Sequence, residues 1–139
     1  MDMMSSNAVR GLAERVYPAL AAGDRDTLTT LLSPDFQGHF SPGLPAPIGG
    51  THVGPQECIE RGWWAIGARW AVRAEPERWV PCGDAELLVL GTYRGRGRAT
   101  GKAFEAPFAH LWTARGDRLG ELRQFTDTAL WVAALEETP

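Results

Sequence analysis

The sequence contains few of the residues that build disulfide frameworks and metal sites. It has two cysteines, Cys58 and Cys82, and three histidines, and none of them follows a CxxC or other zinc-binding spacing. The cysteines leave two alternatives open, a disulfide between them or two reduced thiols, and reduced thiols in a cytosolic protein are the simpler interpretation. We therefore expect no metal in this protein.

Long hydrophobic runs and a strong charge excess are also missing. No stretch approaches the roughly 20 apolar residues of a membrane-spanning helix. The first residues, MDMMSSNAVRGLAERV, lack the basic region and apolar run of a signal peptide. The 14 basic and 17 acidic side chains give a net charge of −3, which does not favour nucleic-acid binding. We expect a cytoplasmic protein that binds neither a membrane nor a nucleic acid.

What is present is a high content of hydrophobic residues, 44% of 139, which predicts one folded domain over residues 1–139. In the first half these residues recur at helical spacing. The first helix ends at Gly23, and a second, shorter one runs from a cap at Asp24 to a stop at Pro34. A third helix carries the apolar positions Ile59, Trp63, Ile66 and Trp70. Before it, residues 41–55 hold four prolines and four glycines, which predicts a long loop at the rim of a pocket.

Strand patterns fill the second half of the chain. The strands are predicted over residues 72–80, 86–93, 103–114 and 119–126, with a closing helical turn over 129–135. Helices followed by antiparallel strands indicate an α+β fold. We predict a cone-shaped barrel, in which a curved antiparallel or mixed sheet wraps around the long N-terminal helix and two further helices. Its open mouth would hold a small apolar ligand.

Three segments resemble a known family: AALAAGDRDTLTTLLSPDF, HFSPGLPAPIGGTHVG and GTYRGRGRATGKAFEAPFAHLWTARGDRLGELRQFTDTA. They look like the SnoaL-like branch of the ketosteroid-isomerase-like (nuclear transport factor 2-like) superfamily, over about residues 8–135. The resemblance implies a cone-shaped barrel with a deep apolar pocket, frequent dimerisation through the sheet, and no cofactor. We therefore expect a homodimer with a hydrophobic small-molecule ligand.

Asp127 is the residue that the resemblance singles out for chemistry. In SnoaL-like cyclases an aspartate in the pocket is the acid/base group of an intramolecular aldol closure, and this chemistry requires a carboxylate in an apolar pocket. Asp127 follows the last predicted strand, among Phe125, Leu130 and Trp131. It also directly precedes TALWVAAL, where aspartate is a favoured helix N-cap. Both interpretations stay open, because one residue can serve both purposes.

The hairpin register decides which strand residues face the pocket. A two-residue turn at residues 116–117 pairs Ala109 with Gln124 and His110 with Arg123. Ala109 aligns with the oxyanion-hole acid of the ketosteroid isomerases, so its face of the strand would line the pocket. His110 would then lie on the outer face, contact with ligand being the less favoured alternative, and a β-bulge would reverse this assignment. The predicted ligand contacts on the inner face are Gln124, Thr126 and Leu111.

The other candidate site residues lie in the first half of the chain. His39 meets the 41–55 loop, where a neutral histidine suits a general base and the alternative is a hydrogen bond to loop backbone. Phe40 aligns with the general-base aspartate of the ketosteroid isomerases, so steroid isomerisation by their mechanism is not expected. Tyr17 is expected to reach the pocket more readily than Tyr93. Trp63 would form a wall that suits a flat ligand.

Two hypotheses about function follow from these residues. The first is a cofactor-independent acid/base enzyme that acts on a hydrophobic carbonyl compound, in a polyketide-type cyclisation, an isomerisation or a related lyase step. In it, Asp127 and His39 would be the catalytic residues. The alternative is a non-catalytic module that binds a small molecule or dimerises, because the acids of the ketosteroid isomerases are missing.

Overall fold

A computed structural model describes the backbone of residues 2–137 and the side chains of residues 8–137. The helices are α1 (Asp2–Ala22), α2 (Arg25–Leu31), α3 (Pro55–Glu57), a π-helix (Cys58–Trp63), α4 (Trp64–Arg69) and α5 (Thr128–Ala133). The strands are β1 (Leu32–Phe40), β2 (Gly50–Val53), β3 (Trp70–Cys82), β4 (Glu86–Gly97), β5 (Ala103–Arg115) and β6 (Arg118–Thr126). The predicted order, helices first and the sheet after them, was only partly right, because β1 and β2 precede the third helical segment and the other four strands follow it.

The six strands form one curved, unclosed sheet in the order β2-β1-β6-β5-β4-β3. Strands β1 and β6 pair in parallel, whereas the remaining neighbours are antiparallel. The predicted α+β fold with a mixed sheet is therefore confirmed. Strand β3 lies at the sheet edge, and its register shifts between Pro76 and Arg78, as expected of a strand that contains a proline.

Helix α1 lies against the inner face of the sheet and contacts β3, β4, β5 and β6. Val9, Ala13 and Val16 recur at i, i+4 and i+7, the spacing of one side of a helix, and this side is buried. Each of the two buried valines contributes about 1.5–3 kcal/mol. The core therefore lies between α1 and the concave face of the sheet.

The third helical segment runs from α3 through the π-helix into α4. The predicted apolar side is buried or partly buried, from Ile59 to Ile66. Gly62 lies so close to Phe40 of β1 that an added Cβ would be 2.5 Å from the Phe40 Cζ atom. Only glycine lets the π-helix approach β1 this closely, and π-helical turns of this kind often occur at functional sites.

Some sequence boundaries were wrong. Helix α2 ends at Leu31 rather than at Pro34, and Pro34 lies within β1. The pairing between β1 and β6 is interrupted between Leu32 and Gln37, so the missing N–H group of Pro34 is not needed there. The loop of residues 41–55 contains the short strand β2. Both cysteines are free thiols.

The β5–β6 hairpin differs from the prediction in its register. Next to the turn, Arg115 pairs with Arg118 and Ala114 with Leu119, as expected, but Thr113 pairs with Glu121. Gly120 is thus the extra residue of a β-bulge. A Cβ at Gly120 would lie 2.7 Å from the Arg115 side chain, which explains glycine at this position.

The bulge moves every later pair by one residue, so His110 faces Gln124 and Leu111 faces Arg123. His110 is buried on the inner face, whereas Leu111 lies on the outer face. The predicted orientations of His110 and Leu111 were therefore wrong, because side chains alternate along a strand and a shift of one residue exchanges its faces.

None of the helices among residues 2–137 combines the length and the apolar character needed to cross a membrane. Within the same residues, no three histidine, cysteine or acidic side chains come together as metal ligands would.

Candidate active site

A cavity of about 1140 Å³ lies between the C-terminal half of α1, the α4 segment and the inner face of the sheet. This volume is slightly above the range of about 300–1,000 Å³ that is typical of small-molecule sites. The deep end is formed by polar aromatic side chains from α1, β4 and β5, together with one leucine of β6. These residues are Tyr17, Tyr93, His110, Trp112 and Leu122.

The remaining walls of the cavity are apolar. The helical wall carries Trp63, Trp64 and Ile66. The charged residues among the described lining are Arg73 and Glu75, both on the edge strand β3. The Arg94 Nε atom donates a hydrogen bond of 2.8 Å to Glu75, which holds that carboxylate at the rim. The deep end is thus the polar but uncharged part of an otherwise hydrophobic cavity.

His110 joins two tyrosines at the deep end. Its Nδ1 atom lies 2.8 Å from the hydroxyl oxygen of Tyr17, and its Nε2 atom lies 2.6 Å from the hydroxyl oxygen of Tyr93. The Tyr17 and His110 rings are parallel to within 5°. The bulge in β6 brings Gln124 opposite His110, so that both side chains lie buried on the inner face of the sheet.

Two further side chains extend the array at its ends. Trp112 donates from Nε1 to the Tyr17 oxygen over 3.1 Å, and Gln124 donates from Nε2 to the Tyr93 oxygen over 2.8 Å. The Gln124 Oε1 atom accepts a hydrogen bond of 3.1 Å from the backbone N–H of Ser41. We call the series Trp112, Tyr17, His110, Tyr93 and Gln124 the buried hydrogen-bond chain.

Burial sets the protonation states of the buried hydrogen-bond chain. It lowers the pKa of His110 to about 3, so the imidazole is neutral at pH 7. Burial also raises the pKa of both Tyr17 and Tyr93 well above that of free tyrosine, so both hydroxyls keep their protons. Neutral donors in an apolar cavity can polarise a carbonyl group or stabilise an enol.

Three of the predicted site residues line the cavity: Tyr17, Trp63 and His110. Gln124 is buried directly behind Tyr93, where it belongs to the buried hydrogen-bond chain. Tyr17 lines the cavity as expected, and Tyr93 lines it as well. The inward orientation of Tyr93 could have been predicted from the alternation of β4, because the apolar residues Leu87 and Val89 lie on the same face and are also buried.

Other predicted contacts lie away from the described cavity lining. Phe40 is buried against Trp63 and His52 and is part of the core. The Thr126 hydroxyl donates to the Pro107 carbonyl and accepts from the Trp131 indole, which holds α5 on the sheet. Leu111 lies on the outer face because of the bulge. Trp112 and Leu122 line the cavity in place of these residues. Trp112 was missed because it shares the face of His110, whereas Leu122 shares the face of Gln124, which was predicted to point inward.

Asp127 and His39 are not in the cavity lining. Asp127 is exposed at the N-cap position of α5, and its side chain makes no capping hydrogen bond. His39 lies on the outer face of β1, with Nδ1 2.8 Å from the Thr51 hydroxyl and Nε2 2.6 Å from a Glu121 carboxylate oxygen. The predicted position of Asp127 in an apolar pocket was wrong, because its side chain is exposed at the start of α5. His39 lies near the end of β1, as expected, but its ring contacts Thr51 and Glu121 rather than the cavity.

Comparison with known proteins identifies the family to which this chain belongs. The family model described as SnoaL-like domain matches residues 13–122, which is most of the chain. The chain belongs to the SnoaL-like domain family. The polar aromatic residues Tyr17, Tyr93, His110 and Trp112 all lie within the matched residues. No curated protein gives a significant match.

Solved structures support the fold of this SnoaL-like chain. An NTF2-like protein from Burkholderia thailandensis has a TM-score of 0.81 at 25% identity, covering 91% of this chain and 95% of that one. An NTF2-like protein of unknown function from Burkholderia pseudomallei has a TM-score of 0.83 at 24% identity, covering 92% and 97%. TerC, co-crystallised with polyporic acid, has a TM-score of 0.83 at 20% identity, covering 94% and 99%.

Proposed function

We propose that this SnoaL-like protein binds an apolar, carbonyl-containing small molecule and catalyses a proton rearrangement on it, of the cyclisation or isomerisation type. The observation that carries this proposal is the pair of tyrosine hydroxyls on either side of His110, at the deep end of an apolar cavity. A ligand carbonyl that enters this cavity finds its hydrogen-bond donors at that end.

The expected chemical effect is stabilisation of negative charge on the ligand oxygen. When a proton leaves the carbon next to a carbonyl, the oxygen becomes enolate-like, and fixed donors in a water-poor cavity stabilise it more than water does. Tyr17 and Tyr93 are held by Trp112 and Gln124, so little reorganisation is needed. Removing one such donor costs about 10²–10³-fold in rate in well-studied enzymes.

The apolar walls favour a flat ligand. Trp63 and Trp64 offer large faces on the helical side, and the cavity volume is sufficient for a molecule with several rings. The similar structure of TerC was determined with polyporic acid, which supports a small-molecule ligand for a protein of this fold.

A second candidate function is binding without catalysis. It is favoured by the absence of an ionised acid or base among the described residues at the deep end of the cavity. Glu75 is the carboxylate among the described lining residues, and Arg94 holds it at the rim.

Binding can be tested with a ketone and the matching hydrocarbon, 2-acetylnaphthalene and 2-ethylnaphthalene, through quenching of tryptophan fluorescence. We expect the ketone to bind about tenfold more tightly, which corresponds to about one net hydrogen bond. The preference should disappear in Tyr17→Phe with Tyr93→Phe and persist in Leu111→Ala, an outer-face control. Equal affinities for ketone and hydrocarbon in the wild type contradict the proposed binding mode.

Catalysis can be tested without knowing the natural substrate. The protein is incubated with 2-acetylnaphthalene in D₂O, and deuterium incorporation next to the carbonyl is followed by mass spectrometry. Exchange above the buffer rate supports the enzyme. Ketone-specific binding with exchange at the buffer rate supports the non-catalytic alternative.

A further inference from the structure

The buried hydrogen-bond chain has donor directions that are fixed at both ends. The indole nitrogen of Trp112 can only donate, so the Tyr17 oxygen is its acceptor. The backbone N–H of Ser41 can also only donate, so the Gln124 oxygen must face Ser41 and the Gln124 amide NH₂ must face Tyr93. Each tyrosine oxygen therefore accepts one hydrogen bond from outside and still carries its own proton.

Two hydroxyl protons and one imidazole N–H proton lie between these ends, but only two hydrogen bonds, one to each tyrosine, are available for them. Neutral His110 carries one N–H group and one lone pair, and it contacts one tyrosine with each nitrogen. One tyrosine donates to the lone pair, and the other accepts from the N–H group. The hydroxyl proton of the accepting tyrosine is left without a partner inside the chain, and both tyrosines line the cavity.

We propose that His110 is a tautomeric relay between Tyr17 and Tyr93, which keeps one hydroxyl proton available to a ligand at either of two positions. With the proton on Nδ1, His110 donates to Tyr17, and the Tyr17 hydroxyl is free for the ligand. With the proton on Nε2, the free hydroxyl belongs to Tyr93. This proposal rests on the proposed function only in taking the ligand to be a carbonyl compound.

The relay permits acid/base chemistry without an ionised residue. Tyr17 gives its hydroxyl proton to the carbonyl oxygen of the ligand and receives the Nδ1 proton of His110 in its place. The Nε2 atom takes the proton of Tyr93, and Tyr93 takes a proton from a carbon of the ligand. The ligand gains one proton and loses one, the protein keeps its total, and His110 has changed tautomer.

The geometry also narrows the class of ligand. The two hydroxyls lie on either side of the imidazole ring, so the ligand atoms that gain and lose a proton are not neighbours. In a conjugated carbonyl compound, a proton added at the oxygen allows another to leave from a distant carbon of the same system. We therefore infer a conjugated ketone or a related extended system as the ligand.

The relay can be tested on the protein alone, by NMR of ¹⁵N-labelled histidine, which distinguishes a protonated from an unprotonated ring nitrogen. Tyr17→Phe removes the partner of Nδ1, and Tyr93→Phe removes the partner of Nε2. A buried N–H group without a partner is the rarer state, so the proton should move to the nitrogen that keeps its tyrosine. We expect His110 to carry its proton on Nε2 in Tyr17→Phe and on Nδ1 in Tyr93→Phe.

The same tautomer in both variants would overturn the relay. So would a doubly protonated imidazole in the wild type at neutral pH, a result that needs no variant to fold. Trp112→Phe and Gln124→Leu are a second pair of test variants. The first removes the hydrogen bond to Tyr17 and the second removes the one to Tyr93, so the two variants should shift the His110 tautomer in opposite directions.

The deuterium exchange assay adds a functional readout when it is run on a conjugated ketone and exchange is followed at the distant carbon that the conjugation links to the carbonyl. Because the relay needs both ends, each tyrosine variant should lose at least tenfold in exchange, and the double variant should be no slower than the single ones. If the loss of exchange in the double variant equals the product of the losses in the two single variants, the tyrosines act independently and the relay is contradicted. If the two tyrosine variants carry opposite tautomers but the wild type shows no preference for the ketone, the relay is supported and the proposed function is contradicted.

Discussion

His110 and His39 lie on opposite faces of the same sheet and have opposite surroundings. His110 is 4% exposed and contacts only neutral groups, the hydroxyls of Tyr17 and Tyr93 and neighbouring aromatic rings. His39 is partly exposed on the outer face, beside the Glu121 carboxylate, and Glu121 in turn lies 3.6 Å from Arg123. The surroundings of His110 on the inner face therefore hold neutral hydrogen bonds, whereas those of His39 on the outer face hold charges.

Because of this difference, the two faces can support different kinds of polar interaction. Charges on the outer face are screened by water, and surface pairs there contribute little, commonly 0–1 kcal/mol. On the inner face the side chains around His110 are buried, so each buried nitrogen or oxygen needs at least one hydrogen-bond partner. Indeed, no buried side-chain nitrogen or oxygen among the described residues lacks a hydrogen-bond partner. The residue type alone does not decide the role of a histidine.

The largest expected contrast is between neighbours on β5. Trp112 is 1% exposed and Leu111 lies on the outer face. Trp112→Ala should destabilise the protein by about 3–5 kcal/mol, because it empties a large buried volume, whereas Leu111→Ala should cost less than about 1 kcal/mol. Urea denaturation of both variants measures the contrast. Similar losses would mean that the two faces are not distinguished by burial.

The second contrast is pH dependence. The pKa of His110 is lowered from 6.5 to about 3 by burial, so the unfolded chain binds this proton at a higher pH than the folded chain does. The stability linked to neutral His110 is therefore complete above about pH 6.5 and is lost as the pH falls toward 3, by up to about 1.4 kcal/mol per pH unit. Denaturation from about pH 7 to about pH 5 should show this slope in the wild type. A His110→Gln variant with an unchanged slope would contradict it.

A smaller contrast separates two neighbours on β6. Gln124→Ala leaves the Ser41 N–H without its acceptor and Tyr93 without its donor, and should cost about 1–3 kcal/mol. Arg123→Ala on the outer face should change stability by less than about 0.5 kcal/mol. Thermal unfolding of the two variants provides the comparison, and equal shifts in Tm would argue against a structural role for the Gln124 contacts.

The smallest expected effect is that of Asp127. Because its side chain is exposed and makes no capping hydrogen bond, Asp127→Asn should change stability by less than about 0.5 kcal/mol. It should also leave ketone-dependent deuterium exchange within about twofold of the wild type, since its carboxylate does not line the cavity. A loss of a hundredfold would return Asp127 to the mechanism.

Much of the fold was predictable because it depends on local patterns. The helical spacing located the buried sides of α1 and of the third helical segment, and the Gly116-Asp117 turn located the last hairpin. The alternation of β5 also placed His110 and Trp112 on one face. These features need only neighbouring residues, since the periods of helices and strands are set by backbone geometry.

The site was less predictable because its contacts are distant in sequence. Tyr17 and His110 are separated by 93 residues, and Ser41 and Gln124 by 83. Gly120 gave no local sign that it would be an extra residue in β6, since a glycine in a hairpin strand is compatible with regular pairing as well as with a bulge.

The sequence by itself determined the order of the elements, the amphipathic helices and which residues of each strand share a face. Only the tertiary structure decided which of the two faces of β5 turns inward. The inward face buries Phe108 and Trp112 and gives His110 two hydroxyl partners, and the bulge at Gly120 keeps Gln124 on that same side of the sheet. A strand's alternation is local, but the choice of face depends on what packs against it.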